Sequence, residues 1–383
     1  MESSHRRPPW SQTLRDARTN RGWDPLRLAH ELLRAAGDEA TTTPDNLVRR
    51  IRDWEAGRHR VRERYRLLLA HVLDLPAEAL SPNEPPRRPD AQRVRASTAH
   101  LIGLDETMGG TDLVPIAVRH ARAAHTAAQD TGSAQMSGAA AEALQVAGWL
   151  AFDADEQVLA RRLTSASVVT ARVGGDRDGE LFALSQLAMQ DAHEHRPDQA
   201  AQVCGHVLDQ RLPPRVRALY ELRLARAHGQ ANTPQRAITT LGRARSRLQE
   251  SARGDEPPWA WWVTGAELDW HQAMIHADNG HWGQAADLFE QAWHGRGDAY
   301  HRGALNDAAH LVHALVRLRS WPRAHQVLAD TVLPALGQIR SGRTATLLVH
   351  TQQLMEQTGA PAQTRELAAH AVAGLGPGRE HLG

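Results

Sequence analysis

The plainest absence in this chain is lysine. All 45 basic residues are arginine, set against 44 acidic residues, and the formal net charge is only +1. A balance this even indicates no particular partner by itself. Because a GC-rich genome alone replaces lysine by arginine, no single arginine is taken as a sign of guanidinium chemistry.

Cysteine and long apolar runs are also scarce. The single Cys204 excludes an internal disulfide and a thiolate metal site, which fits a reducing compartment. No run of about 18 apolar residues is present, so no membrane span is expected. The first residues lack the apolar core of a signal peptide. These absences predict a soluble, cytoplasmic protein.

What the sequence does contain is a strong helix signal. Thr43 is a favourable N-cap, Pro44 suits the first helical position, and Gly57 follows a predicted end at residue 56. The apolar residues between them repeat at i, i+4 and i+7 and form one narrow stripe: Leu47, Ile51 and Trp54. This spacing predicts a helix over 44–56 that packs along one face only.

The opposite face of that helix is polar and suits the major groove of DNA. We expect Arg49 to contact guanine, Asn46 to reach adenine or a phosphate, and Asp53 to accept from cytosine or orient Arg49. Residues 45–66 hold 8 arginines and 4 acids, a local excess typical of a DNA-facing segment. The alternative is the solvated face of a helix in an ordinary bundle. The predicted DNA contacts are Thr42, Thr43, Asn46, Arg49, Arg50, Asp53, Arg58, Arg60 and Arg62.

Composition divides the chain into three parts. Residues 1–80 fit four or five short helices, with 15 arginines and 12 acids. Residues 81–92 form a proline-rich linker. Residues 93–383 are helical throughout and repeat a pattern of small residues, a short turn and an alanine, as in 224–244 and 273–292. The expected fold is all-α: a helix-turn-helix bundle, then an α-solenoid of about seven tetratricopeptide-like hairpins.

These segments together resemble a known family. The letters IRDWEAG at 51–57 have the form I-x-x-[WL]-E-x-G of the Xre/Cro recognition helix. The wider chain resembles actinobacterial Xre-type transcriptional regulators with a C-terminal tetratricopeptide-like domain, through 54–60, 65–69, 148–153, 213–219 and 255–259. The resemblance implies control of developmental or secondary-metabolism genes. Related regulators bind short peptides in the concave groove of the repeat.

The repeat region carries three polar stripes at i, i+4 and i+7. They fall on the predicted first helices of hairpins, which line the concave side of such a solenoid. Each stripe is a candidate binding surface for a peptide or small molecule; the alternative is a solvated helix face. The candidate groove residues are Gln186, Gln190, Glu267, His271, Asn306 and His310.

Eleven tryptophans against three phenylalanines are unusual, and four of them lie between 259 and 270. Such a cluster suits a pocket or interface, with packing between hairpins as the alternative. The 22 histidines lack the companion ligands of a zinc site, and no nucleophile–base set stands out. We therefore expect no metal, no cofactor and no enzymatic activity.

The leading hypothesis is a cytoplasmic transcriptional regulator. It reads a palindromic operator in double-stranded DNA as a homodimer, through the helix at 44–56, and a peptide or small-molecule effector binds the repeat region. The alternative is a protein-interaction adaptor that uses the helical-repeat groove and has no sequence-specific DNA binding.

Overall fold

A computed structural model describes residues 8–36, 42–75, 77–80, 90–251, 256–296 and 301–374. Contacts divide the chain into two units, Met1–Asp90 and Ala91–Gly383. The described residues form helices and turns with no β-strand, so the all-α prediction is confirmed. Among these residues no helix combines the length and apolarity that a membrane crossing requires.

Within its described residues, unit 1 is a bundle of four helices followed by a 3-10 turn, Ala77–Leu80. Its apolar stripes meet in one core, in which Leu14, Leu28, Ile51 and Leu69 are fully buried. The predicted stripe of the third helix is buried in that core. The helices are α1 (Pro9–Asn20), α2 (Pro25–Ala36), α3 (Pro44–Glu55) and α4 (Glu63–Val72).

The ends of α3 follow the local sequence signals. The Thr43 hydroxyl accepts the Asn46 N–H at 3.4 Å, and Pro44 occupies the first turn. Gly57 has a φ of +73°, which favours glycine, and a Cβ there would lie 2.5 Å from Pro8 Cδ. A side chain at 57 is therefore excluded by both backbone and packing.

A buried ion pair ties α1 to the end of α3. The Arg18 guanidinium donates to both Glu55 carboxylate oxygens, at 2.6 and 2.9 Å, and to the Trp23 carbonyl at 2.6 Å. The Glu55 carboxylate raises the pKa of Arg18 because it bonds the charged form. Glu55, the glutamate of the 51–57 motif, thus anchors the C-terminal end of α3 to α1.

Unit 2 consists of seven helical hairpins within its described residues. The inner helices are α5 (Ala91–Met108), α7 (Ala134–Asp153), α9 (Arg177–His193), α11 (Pro214–Gln230), α13 (Gly265–Asp278), α15 (His301–Arg317) and α18 (Gly342–Gln357). The outer helices are α6 (Val114–Thr131), α8 (Gln157–Gly174), α10 (Pro197–Leu208), α12 (Pro234–Glu250), α14 (Trp282–Gly295), α16 (Trp321–Val327) with α17 (Leu333–Leu336), and α19 (Ala362–Gly374). A π-helical turn, Leu328–Val332, joins α16 to α17. The unit begins at Ala91, slightly before the expected start at 93.

The repeated alanines explain how each hairpin closes. One alanine near the start of an outer helix is fully buried in four successive hairpins, because it lies where the outer helix meets its inner partner: Ala200, Ala237, Ala285 and Ala324. A methyl group there lets two helices approach closely. The hairpin repeat predicted from sequence is confirmed.

The two ends of the repeat meet, which the sequence did not predict. Helix α5 packs against α15, and α7 packs against α18. The Arg340 N–H donates to the Met108 carbonyl at 2.7 Å. Glycines allow this approach, because a Cβ at Gly109 would lie 2.3 Å from the Arg340 carbonyl oxygen and one at Gly342 2.2 Å from that of Ala154. The expected open groove is therefore a chamber inside a closed ring.

Candidate functional site

The predicted DNA contacts of unit 1 lie just before α3, on its outer face and in the segment after it. Asn46 and Arg49 are exposed, and Arg49 makes no hydrogen bond or ion pair with the described residues. Exposure is shared by Thr43, Arg50, Arg58, Arg60 and Arg62, whereas Thr42 is half-buried. The exposed Arg52, absent from the predicted set, joins Arg49 on the wall of a cavity of about 530 Å³ beside α2.

Two of those side chains already have partners within unit 1. The Asp53 carboxylate accepts from Arg58 Nε at 2.9 Å and from its Nη2 at 2.6 Å, so Asp53 orients Arg58 and not Arg49 as expected. Arg50 donates to the Tyr65 hydroxyl at 3.1 Å and lies 5.7 Å from the centre of that ring. Asn46 and Arg49 are left as the exposed members of the predicted set on α3 whose side chains make no hydrogen bond or ion pair with the described residues.

The inner helices of unit 2 surround a chamber of about 1070 Å³. Every inner helix contributes side chains to its wall, and the turn Pro258–Trp262 adds three tryptophans. Phe182 stacks on Trp259 with ring centres 4.7 Å apart. The aromatic residues of the wall are Trp149, Phe152, Phe182, Trp259, Trp261, Trp262 and Trp270. The tryptophan cluster thus serves a cavity and not only packing between hairpins.

Four of the six predicted groove residues line this chamber: Gln186, Glu267, Asn306 and His310. The other two lie behind the wall. Gln190 donates to Thr164 Oγ1 at 3.0 Å, and His271 Nε2 lies 3.1 Å from Arg223 Nη1. The alternative of a solvated face does not hold, because Gln186 is 4% exposed and His271 is fully buried.

A network of buried charges joins the ring ends beside the chamber. Asp105 accepts from Arg302 Nε at 3.1 Å and from Trp149 Nε1 at 2.9 Å. Asp153 accepts from Arg343 Nη2 at 3.1 Å and lies 3.6 Å from Arg302 Nη1. Burial raises the pKa of Asp105. Burial would do the same at Asp153, but the two guanidinium groups hold the pKa of that carboxyl below its usual value.

The chamber wall also contains buried polar atoms that have no hydrogen-bond partner among the described residues. They include Arg223 Nε, Arg226 Nε, Arg343 Nε, Trp259 Nε1, Trp270 Nε1 and Gln186 Oε1. Buried donors in folded proteins are nearly always hydrogen-bonded. Five of these six atoms are donors, so the chamber offers hydrogen bonds that a ligand with acceptors would complete.

Burial keeps two histidines of the chamber wall, His193 and His310, neutral at neutral pH. It lowers the pKa of His193 to about 4, with Arg343 and Arg226 adding to the effect, and it lowers the pKa of His310 well below its ordinary value. Burial also raises the pKa of the Cys204 thiol to about 12, which agrees with a core residue. No group of residues suited to hold a metal ion is found in the described ranges.

The chamber arginines were missed by sequence reasoning. Arg223 and Arg226 stand three residues apart in α11, between leucines and alanines that are buried. Charged residues inside an apolar helical run are a usable signal, since unpaired charges are rarely buried. The signal was set aside because every basic residue of the chain is arginine.

The hairpins and the cavity together show that unit 2 is a helical-repeat domain with an internal chamber. No family model matches the chain, and no curated protein matches it. Among solved structures it is similar to a chain in the crystal structure of the APC/C hetero-tetramer Cut9-Hcn1, at 14% identity with a TM-score of 0.40. The match covers 90% of this chain and 59% of that one, so this chain spans less than two thirds of its length. A likeness this distant decides neither fold nor function.

Proposed function

We propose that the helical-repeat unit is a binding module that takes a short peptide segment, or a small molecule of similar size, into its chamber. One observation carries the proposal: seven inner helices converge on a cavity of about 1070 Å³ lined by aromatic rings and buried polar groups. An apolar pocket with a few convergent polar groups is the usual form of a ligand site.

The size and closure of the chamber define what enters it. Ligand pockets commonly measure about 300–1000 Å³, and this one, at about 1070 Å³, lies just above that range. A volume of about 1070 Å³ accommodates a short peptide or a small molecule but not a folded domain. The partner of an adaptor would therefore contribute an extended segment.

Selection from a synthetic library of random hexapeptides tests this proposal. The full chain is incubated with the library and bound peptides are counted by mass spectrometry. Gln186→Trp places a bulky ring at the chamber wall without breaking a recorded hydrogen bond, and Gln199→Trp makes the same change at an exposed position of α10. We expect enrichment by the wild type and by Gln199→Trp but not by Gln186→Trp. Equal enrichment by all three proteins contradicts the proposal.

A second function is supported by unit 1, namely DNA binding through α3. The supporting observation is that Asn46 and Arg49 are exposed on a helix whose opposite stripe is buried and whose first turn is capped by Thr43. A helix held in this way leaves its polar face for a major groove. The resemblance of 51–57 to the Xre/Cro motif agrees with this proposal.

A gel-shift assay with the promoter fragment of the protein's own gene tests the second function. Arg49→Ala is expected to weaken binding about tenfold or more if it reads a base. Arg34→Ala removes one exposed charge from α2 of the same unit and is expected to have a much smaller effect. Failure of the wild type to bind at low salt contradicts DNA binding.

A further inference from the structure

We infer that the chamber binds a carboxylate group of its ligand on Arg226 and Arg223, with the apolar body of the ligand against the aromatic wall. The inference rests on the proposed function and names the chemistry of the ligand. Both side chains belong to α11, three residues apart, so they face the same way into the chamber.

Arg226 is a buried cation with unused hydrogen-bond donors. It is 6% exposed and lines the chamber. Its nearest recorded acid is Asp278, whose Oδ2 lies 3.8 Å from Nε, beyond hydrogen-bond distance. Arg226 donates no hydrogen bond to the described residues, and its Nε is buried without a partner. A guanidinium in this state lacks the planar acceptor that it binds best.

Arg223 and Trp270 extend the donor set around Arg226. Arg223 is 3% exposed and its Nη1 meets His271 Nε2 at 3.1 Å, but its Nε has no partner. Burial lowers the pKa of Arg223 to about 10, so the group stays charged at neutral pH. Trp270 lies 5.6 Å from the Arg226 guanidinium, and its indole N–H is also unpartnered.

Two other chamber arginines, in contrast, are paired with carboxylates of the protein itself. Arg302 is held by Asp105 and Asp153. Arg296 is held by Asp307 and Glu267. Such pairing satisfies each guanidinium from within the protein. Arg226 has no equivalent acceptor, so an acceptor from a ligand would complete its site.

A carboxylate fits this position better than a more highly charged anion. Asp278 and Glu267 already contribute negative charge near the two arginines, so a dianion would meet more repulsion than a single charge. A carboxylate also accepts two parallel N–H bonds from one guanidinium. Its source is either the carboxyl group of a peptide or that of a small aromatic acid.

Four probes separate the two sources and isolate the carboxylate. They are 3-phenylpropionate and its amide, and an acetylated pentapeptide of leucine and phenylalanine with a free carboxyl terminus or a terminal amide. Calorimetry with the full chain measures each affinity. We expect wild type to prefer an acid over its amide by about tenfold or more in at least one pair. Of the two acids, the one that binds with higher affinity identifies the source of the carboxylate.

Variants assign this preference to Arg226. Arg226→Met keeps an unbranched apolar side chain at this position and removes the guanidinium charge, so the preference should fall to about twofold or less. Arg162→Met makes the same change at an exposed position of the outer helix α8 and should keep the preference. If circular dichroism shows that Arg226→Met is unfolded, Arg226→Lys replaces it. Arg226→Lys keeps the charge without the planar fork and should lose part of the preference.

Three outcomes overturn the inference. Equal binding of acid and amide by wild type would refute the carboxylate site while leaving chamber binding intact. An acid preference that survives both substitutions of Arg226 would place the carboxylate elsewhere. Binding of none of the four probes contradicts the inference, and the hexapeptide selection then decides separately whether the chamber binds any peptide.

Discussion

Unit 1 and unit 2 place their charged side chains in opposite ways. Among the described residues of unit 1, one ion pair, Arg18–Glu55, is buried, and the arginines of α3 and the following segment point to solvent. In unit 2 charged side chains of the inner helices, among them Asp105, Arg226 and Arg302, are buried at the chamber wall. The first arrangement suits a large polar surface such as DNA, and the second suits a small enclosed ligand.

The difference shows why charge content alone says little about this protein. Exposed arginines interact through water and are screened by salt. Buried ones have been removed from water, and each needs an acceptor from the protein or from a ligand. Functional interpretation therefore depends on which way a helix faces, and the three predictions below test that difference between the units.

The largest effect is expected at the junction of the ring ends. Asp153→Ala removes the acceptor of Arg343 and Ser341 and the ion pair with Arg302. The buried guanidinium of Arg302 and the half-buried one of Arg343 then lose an anion, and breaking a buried pair in this way costs about 3–5 kcal/mol. Denaturant unfolding followed by far-UV circular dichroism should show this loss of unfolding free energy in unit 2.

An exposed residue of unit 2 provides the control for that change. Asp178→Ala removes an exposed carboxylate at the start of α9 and should change the unfolding free energy by about 0.5 kcal/mol or less. If Asp153→Ala is equally mild, the ion pairs do not hold the ring closed.

The next largest effect is a dependence of the unfolding free energy on pH, which we expect from His193 in unit 2. The pKa of His193 is lowered to about 4, first by burial and then by Arg343 and Arg226. The unfolded chain, with a histidine pKa near 6.5, binds more protons between pH 6.5 and 4. Stability is therefore lost as the pH falls through this window, by at most about 1.4 kcal/mol per pH unit for one such group.

Asp307 changes the unfolding free energy with pH in the opposite direction to His193. The measurement is therefore the difference between variants in the slope of unfolding free energy against pH. Burial raises the pKa of Asp307 to about 6, so its contribution is lost as the pH rises toward 6. His193→Gln should flatten the fall of unfolding free energy between pH 6.5 and 4. His59→Gln, at an exposed position of unit 1, should leave it unchanged. Identical slopes in both variants would show that His193 is not buried in its neutral form.

The sequence predicted helix α3 of unit 1 well because the signals for it are local. Thr43, Pro44 and Gly57 bound α3 through contacts within a few residues, and the stripe of Leu47, Ile51 and Trp54 shows which face is buried. These features follow from the helical period of 3.6 residues and from capping. No long-range information was needed for them.

The chamber was predicted only in part because it depends on contacts far apart in the chain. The inner position of Gln186 and Asn306 follows from the order of helices within each hairpin. The burial of Arg302 and Asp105 follows from ring closure, which joins residues nearly two hundred positions apart. The spacing of apolar and polar residues within a single hairpin gives no indication of that closure. The partners of Arg302 and Arg343 were therefore missed.

The smallest stability effect is expected on the exposed face of unit 1. Asp53→Asn removes the charge that pairs with Arg58, whose side chain is 62% exposed. Exposed pairs contribute about 0–1 kcal/mol, so the unfolding free energy should change within that range and less at high salt. The same substitution removes a negative charge from the face that would meet phosphates. If α3 binds DNA, Asp53→Asn should therefore strengthen retention of DNA at low salt while Gln12→Ala, a neutral change on α1, does not. Weaker retention by Asp53→Asn would indicate instead that its carboxylate accepts a hydrogen bond from a base.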